Sequence, residues 1–270
     1  VVDPINPGAV DSIIHLGDFW NEEGIRKNRD ELISNNERIK EIFSRAYNYL
    51  AAAGNMYDNV RSIYEGAIKK EELYKKFARI IGLELAHKEL SPELGDLKKY
   101  FASAITPSGF ENYLGTLLNG YKRIYVINSI VGVSAEKMLD LFAESALYRG
   151  FNVEGYYCPM KPATKLEHLL VPELGIAFVT SNRFHPVDKS DLESEIVSID
   201  LTSAVKESKI TGQWQILEDS QSRMNELLDK AIDCLKLAKK EHDSLEEFYI
   251  PNMDFKKIEE LRIELTKKIR

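Results

Sequence analysis

The sequence predicts an α/β fold with a mostly parallel sheet and long attached helices, and three features predict it. Arg123 to Ile127 is a short run of β-branched and aromatic residues, the pattern of a strand buried on both faces. Glu136 to Arg149 then changes period: Met138, Leu139, Phe142, Ala146 and Leu147 recur at helical spacing, and Gly150 supplies a stop. Ile25, Leu32, Ile39, Ala46, Ala53 and Val60 follow one another every seven residues, the seam of a long packed helix.

In chain order, residues 1–20 carry turn signals at Asp3-Pro4 and Asn6-Pro7-Gly8, then a strand-like apolar segment around Ile13, Ile14 and Leu16. From Asn21 the seam begins, reinforced by Phe43, Leu50, Tyr57 and Tyr64, and Gly66 breaks it. A second helix from about 69 to 87, with Leu73, Phe77, Ile80 and Ile81, is expected to fold back along the first as an antiparallel hairpin. Asn152 to Cys158 and Ile176 to Thr180 read as further strands, the latter buried. Between them lie Pro159-Met160-Lys161-Pro162, a short helical segment near Leu166 to Leu170, and a turn at Pro172. Strands alternating with helices place ligands at the strands' C-terminal ends, with the strand at 123–128 central.

A shift of 185 residues superimposes much of the chain on itself without a gap. Val2-Asp3 meets Val187-Asp188, and Ile14 and Leu16 meet Ile199 and Leu201. Leu32, Ala46, Leu50, Ala53, Val60 and Tyr64 meet Leu217, Ala231, Leu235, Ala238, Leu245 and Tyr249, while Asp58 meets Asp243 and Ile68 meets Met253. Helical periodicity alone does not hold one register so long, so the chain reads as a duplicated unit: a strand-like entry followed by a helical hairpin. Three segments follow: 1–95, an entry and hairpin without an α/β core of their own; 96–205, an α/β core; and 206–270, the second hairpin.

The loop between the strand at 123–128 and the helix at 136–149 has the length of a phosphate-binding turn. Such a turn reads Gly, four residues, Gly, Lys, then Ser or Thr. Those four positions hold Ser129, Ser134, Ala135 and Glu136. The glycines would let backbone N–H groups turn inward around phosphate, and only Gly132, inside the loop, remains. Ala135 cannot contact phosphate as lysine does, and Glu136 would repel it. Lys137 is two positions late, roughly 200° further round the helix. The plainer reading is a helix start, with Ser134 as cap and Glu136 favourable to the dipole.

Composition narrows the classes. A chain of 270 residues with 44% hydrophobic and 29% charged residues can bury a substantial core. The net charge of −7 argues against general nucleic-acid or anionic-membrane binding. No apolar run reaches transmembrane length and no signal-peptide pattern opens the chain. Cys158 and Cys234 lack redox or metal spacing, which fits a reducing cytoplasm. The opening Val-Val-Asp-Pro, without Met, suggests a fragment or a trimmed product.

The residues resemble a family of uncharacterised bacterial ATPase-like proteins, common in spore-forming Firmicutes, with two tandem P-loop halves. The resemblance rests on Phe101-Ala-Ser-Ala-Ile-Thr-Pro-Ser-Gly, on Arg149-Gly-Phe-Asn-Val-Glu-Gly-Tyr-Tyr-Cys-Pro, on His168-Leu-Leu-Val-Pro-Glu-Leu-Gly, on His185, and on Phe248-Tyr-Ile-Pro-Asn-Met-Asp-Phe. It covers nearly the whole chain through that combination, no piece of which is diagnostic alone. It implies that residues 1–95 end a first half whose core would precede Val1, and that residues 96–270 form the second half entire. It places a nucleotide-binding loop at 129–136, where Gly132 alone matches, and Thr180 where the family often has Asp.

The site expected is therefore a degenerate phosphate loop of Ser129, Gly132, Ser134, Ala135, Glu136 and Lys137, with no catalytic or metal residue assigned. Mg·ATP, held weakly, is the one ligand left to it. The function expected is a P-loop NTPase-like domain without hydrolysis, its hairpins serving self-association or partner binding. The alternative is a working ATPase whose active loop lies in a preceding half. Tyr156, Tyr157, Cys158, His168 and His185 gather near two strand ends, but no third ligand completes a metal site and no base accompanies Cys158 as a nucleophile. Trp20 and Trp214 read as anchors at the entries of the long helices.

Overall fold

The computed structural model describes residues 6–189 and 192–269. The Asp3-Pro4 turn signal and the match of Val2-Asp3 to the later repeat lie outside them. The helices are α1 (Glu22–Arg26), α2 (Arg29–Ala67), α3 (Lys70–Leu85), α4 (Leu114–Leu117), α5 (Glu136–Leu147), α6 (Trp214–Tyr249) and α7 (Phe255–Ile269). The strands are β1 (Leu97–Tyr100), β2 (Ser103–Thr106), β3 (Gly109–Asn112), β4 (Arg123–Asn128), β5 (Val153–Tyr157), β6 (Leu166–Val171), β7 (Ile176–Ser181) and β8 (Glu195–Asp200). Among the described residues no helix is long and apolar enough to cross a membrane. The chain divides into two compact units, Arg45–Lys236 and Val1–Ser44 with Leu237–Arg270.

The larger unit is built on a six-stranded sheet in the order β1-β5-β6-β7-β4-β8. Five strands run one way, and β6 alone is antiparallel to its neighbours. Chain length explains the exception, since a parallel return needs a crossover of a dozen or more residues. The link from β6 to β7 is a single 3-10 turn closed by Gly175 at φ 65°, too short for any crossover.

β4 lies inside the sheet, paired on both sides, and its two faces enter different cores. Tyr125 and Ile127 pack with Phe142 and Leu139 of α5, Phe77 and Ile80 of α3, and Phe178 of β7. Ile124 and Val126 pack with Leu114, Leu118 and Ala102. The Phe178 ring sits 4.6 Å from Tyr125, 4.5 Å from Phe142 and 6.5 Å from Phe77. At the start of β4, Glu84 of α3 accepts from Arg123 at 2.6 Å and from the Tyr125 hydroxyl.

Three expectations change here. Leu166 to Leu170 is not helical but belongs to β6, whose six residues are all buried. A strand covered on both faces shows no alternation, and Leu166, Leu169 and Leu170 imitate helical spacing. The segment around Ile13 to Leu16 forms no strand: Ile13 and Ile14 are exposed and Leu16 opens a 3-10 turn. The long seam does not serve α3 alone, since in the larger unit Ala53 and Tyr57 of α2 pack with Met224 and Leu228 of α6.

The repeat returns as geometry. α2 and α6 start 185 residues apart, as do α3 and α7. In the smaller unit Trp20 bridges Met253, with the Asn21 N–H donating to the Asn252 carbonyl at 2.8 Å and the Asp254 N–H to the Phe19 carbonyl at 3.0 Å. In the larger unit Val205 bridges Ile68, with the Lys206 N–H donating to the Ala67 carbonyl at 2.9 Å and the Lys69 N–H to the Ala204 carbonyl at 2.9 Å. Every partner in one set is displaced by 185 from its counterpart in the other. Each bridge joins the entry of one repeat to the exit of the other.

Candidate functional site

The site lies in the larger unit, at the C-terminal ends of β4 and β7, where an open α/β sheet presents its loops. The loop leaving β4 is pinned at once, the Ser129 N–H donating to the Ser181 carbonyl at 3.0 Å. It then makes a tight turn in which the Val133 N–H donates to the Ile130 carbonyl at 2.9 Å. Gly132 takes the third position of this turn at φ 95°, the conformation that a type II turn demands of glycine. A Cβ on Gly132 would lie 2.6 Å from Val60 Cγ1 and 2.9 Å from Tyr64 Cδ2. Turn chemistry and the close approach of α2 thus both require this glycine.

The rest of the loop starts α5. The Ser134 hydroxyl accepts the Glu136 N–H at 3.1 Å, so Ser134 caps the helix from one residue before Ala135, which stands at the cap position without a side-chain bond. Ala135 is buried, and the Glu136 carboxylate lies 3.0 Å from the Arg61 guanidinium of α2. Arg61 also binds Glu65 at 2.9 Å. Lys137 is exposed and lines a cavity of about 60 Å³ with Arg61, Lys70, Gly132, Ser134 and Glu136.

On the other side of the loop is a second cavity, of about 40 Å³. Ser129, Gly132 and Ser134 line it together with Cys158, Lys165, Glu167, Thr180 and His185, so two clusters that the sequence leaves apart share one wall. Tyr57, Ile105, Phe110, Met160, Phe184 and Leu228 supply apolar surface, and the β2–β3 hairpin covers it, Phe110 lying 4.7 Å from Phe184. Tyr156 and Tyr157 do not line the cavity; Tyr156 instead donates to Glu154 at 3.0 Å.

A buried charge network forms the floor. Lys165 Nζ is 2.5 Å from Glu167, lies over the Tyr57 ring at 4.6 Å and approaches Cys158 Sγ at 3.9 Å. Glu167 is also 3.3 Å from His185 Nε2. His185 Nδ1 donates to the Thr180 carbonyl at 2.8 Å, and the Thr180 hydroxyl donates to the Glu167 carbonyl at 2.7 Å. Burial works against the charge of Glu167, but Lys165 and His185 overcome it and hold the carboxyl well below the usual range. Burial likewise opposes the Lys165 charge, and Glu167 raises it above the ordinary lysine value. Burial pushes the Cys158 thiol up, away from thiolate chemistry.

Glu167, His168 and His185 bring donor atoms within 4.8 Å of one another, yet the set does not fit a metal ion. His168 Nδ1 accepts the Thr180 N–H at 3.2 Å, which puts the ring proton on Nε2 and leaves no lone pair for a metal. Burial drops the His168 pKa to about 3, keeping the ring neutral. Lys165 already occupies the cation position at Glu167. No thiol or imidazole in the cluster is therefore arranged as a ligand or an activated nucleophile.

Lys165, Glu167 and Arg61 escaped sequence reasoning. Arg61 has no local signal, since its role depends on α2 crossing the loop. Lys165 and Glu167 did leave one: two charges set in a segment that, His168 aside, is otherwise apolar through Val171. Comparison with protein-family models, with the curated proteins and with the solved structures finds no match.

Proposed function

We propose that residues 96–205 are a P-loop-type α/β core that has given up phosphate binding, and that the long helices flanking it serve assembly or the binding of a protein partner. The observation that carries this reading is Gly132. In a working loop its freedom would open backbone N–H groups toward phosphate; here a closed turn uses it, and Val60 and Tyr64 of α2 fill the space beside it. Glu136 supports the same reading, because its carboxylate takes the favourable anion position at the start of α5 and is neutralised by Arg61. The strand–loop–helix frame persists as a scaffold. Most positions of the heptad seams of α2 and α6 are buried, so assembly would use apolar residues exposed elsewhere on those helices, Ile33 and Ile216 among them. The free thiols Cys158 and Cys234 fit a reducing, cytoplasmic setting.

Thermal unfolding tests the nucleotide part. A ligand held at roughly millimolar affinity adds only about 1 kcal/mol when present at about five times its Kd. Mg·ATP at ~5 mM should therefore move Tm by no more than a few degrees, and by no more than Mg·GTP does. A large rise specific to ATP would overturn the reading.

A further inference from the structure

We propose that the smaller unit docks the α/β domain of a partner protein, with Ser12 to His15 closing the edge of the partner's parallel sheet. The inference deepens the partner-binding half of the function proposed above and rests on it; the lost phosphate loop plays no part. The repeat carries it. Displaced by 185 residues, Val10 to His15 falls on Glu195–Asp200, the whole of β8, and α7 falls on α3. β8 is the parallel edge strand beside β4, and α3 packs against the same sheet through Leu73, Phe77 and Ile80. In the larger unit, the last helix of one repeat and the entry of the other thus hold an α/β core together.

In the smaller unit the same positions face solvent. Ile199 is 0% exposed and its counterpart Ile14 is 45% exposed. Leu73 and Ile80 are buried, whereas Ile258 and Leu265 are only half-buried, and no described residue of α7 is buried. Ser12, Ile13 and Ile14 make no backbone hydrogen bond to another described residue, so their donors and acceptors are open to a sheet. The frame is nonetheless built. The Asp254 N–H donates to the Phe19 carbonyl at 3.0 Å, as the Lys69 N–H donates to the Ala204 carbonyl at 2.9 Å. Entry and final helix are therefore joined by the bond that joins them where a core is held.

The counterparts fix the partner's chemistry. Ile127 of the buried strand β4 lies beside Ile199, so the partner strand carries an apolar residue beside Ile14. The Glu195 and Leu201 N–H groups donate to the Lys122 and Asn128 carbonyls at the two ends of β4. By alternation the N–H groups of Ser12 and Ile14 face the partner strand, and that of Ile13 faces away. Where Phe77 approaches the Phe178 ring at 6.5 Å, α7 has Arg262, which Glu259 binds at 2.6 Å; the partner meets it with a polar surface. A second copy of this chain meets neither demand, because its β4 is already paired with β7 and β8 and its core presents Phe178. The occupant is a different polypeptide, whose parallel sheet has an apolar strand at an open edge.

The test places a photo-crosslinking amino acid at Ile14, Ile33 or Phe255 of the whole chain, expressed in the organism that makes it, and maps the linked residues by mass spectrometry. Ile14 should link to a different polypeptide, at the edge strand of a parallel α/β sheet. In the purified pair the Ser12 and Ile14 amides should exchange about tenfold more slowly than in the chain alone. Ser12→Pro, which removes a donor facing the partner, should lower the yield from Ile14 about fivefold with Tm unchanged, while Ile13→Pro should lower it less than about twofold. Links from Ile14 to a second copy, or to a polypeptide anywhere but a parallel sheet edge, would overturn the inference and leave partner binding itself standing. Equal effects of the two prolines, or unprotected amides in the pair, would do the same. Links from none of the three positions would overturn both.

Discussion

The Arg61 guanidinium of α2 lies 3.0 Å from the Glu136 carboxylate at the first residue of α5. The helix start thus carries its own anion, and that anion its own cation, across a loop whose frame elsewhere would hold phosphate. Both side chains are largely buried, so removing one strands the other. Arg61→Ala should cost about 2–4 kcal/mol in a denaturant titration, and Arg61→Ala with Glu136→Gln should recover a good part of that. Equal stability of the single and double variants would show the pair to be incidental.

Gly132→Ala combines a strained φ with a collision. The left-handed conformation costs about 1–2 kcal/mol, and contact with Val60 and Tyr64 adds to it. Adding Val60→Ala should relieve the steric share while leaving the φ share, after correction for the cost of Val60→Ala alone. Strict additivity in the unfolding cycle would mean that α2 does not press on the loop.

Four substitutions would restore the phosphate-loop residues: Ser129→Gly, Ser134→Gly, Ala135→Lys and Glu136→Thr. Because Ala135 is buried and the turn at Ile130–Val133 closes the loop, this variant should gain less than tenfold in affinity for Mg·ATP. A gain of a hundredfold, about 2.7 kcal/mol, would show that side chains alone were missing and that the backbone still opens.

His168 and Glu167 set the acid response. The folded pKa of His168 is depressed to about 3, below the unfolded value near 6.5. The folded state therefore binds fewer protons, and the stability gained from a neutral ring is full above about pH 6.5 and declines as the pH falls toward 3. Below about pH 6 the slope should approach ~1.4 kcal/mol per pH unit. Glu167, also depressed, adds its loss below about pH 4.5. His168→Asn, whose Oδ1 can accept the Thr180 N–H, should flatten the profile between about pH 4.5 and 6.5. An unchanged slope in urea titrations would place the acid sensitivity elsewhere.

Leu201 and Leu16 occupy the same repeat position in different surroundings. Leu201 is 0% exposed behind β4, and Leu16 is 48% exposed. Leu201→Ala should cost about 2–5 kcal/mol and Leu16→Ala less than about 0.5. If partner binding covers the smaller unit's apolar residues, light scattering of the intact chain with that partner should report an assembly that Leu16→Asp weakens. A strict monomer with equal costs at both positions would contradict that view.

β4 and α5 were legible because a run buried on both faces gives way to a strict helical period at Glu136. The repeat was legible because identical core positions recur over a fixed offset, and its swapped bridges at Trp20 and Val205 could not be, since sequence register does not say which copy closes on which. β6 was misread because complete burial erases alternation. β1 went unseen for the opposite reason: Leu97-Lys-Lys-Tyr is an exposed edge strand with no buried face to pattern it. Ser129 and Gly132 were found by position in a motif frame, yet their surroundings depend on α2 and on β6, which approach the loop from distant parts of the chain.

Titration calorimetry of the intact chain with Mg·ATP tests the central claim most directly. On the proposed reading the closed turn at Gly132 and the Glu136–Arg61 pair leave no seat for phosphate, so the affinity should be no tighter than roughly millimolar, about −4 kcal/mol. A micromolar Kd, abolished by Gly132→Ala, would contradict it.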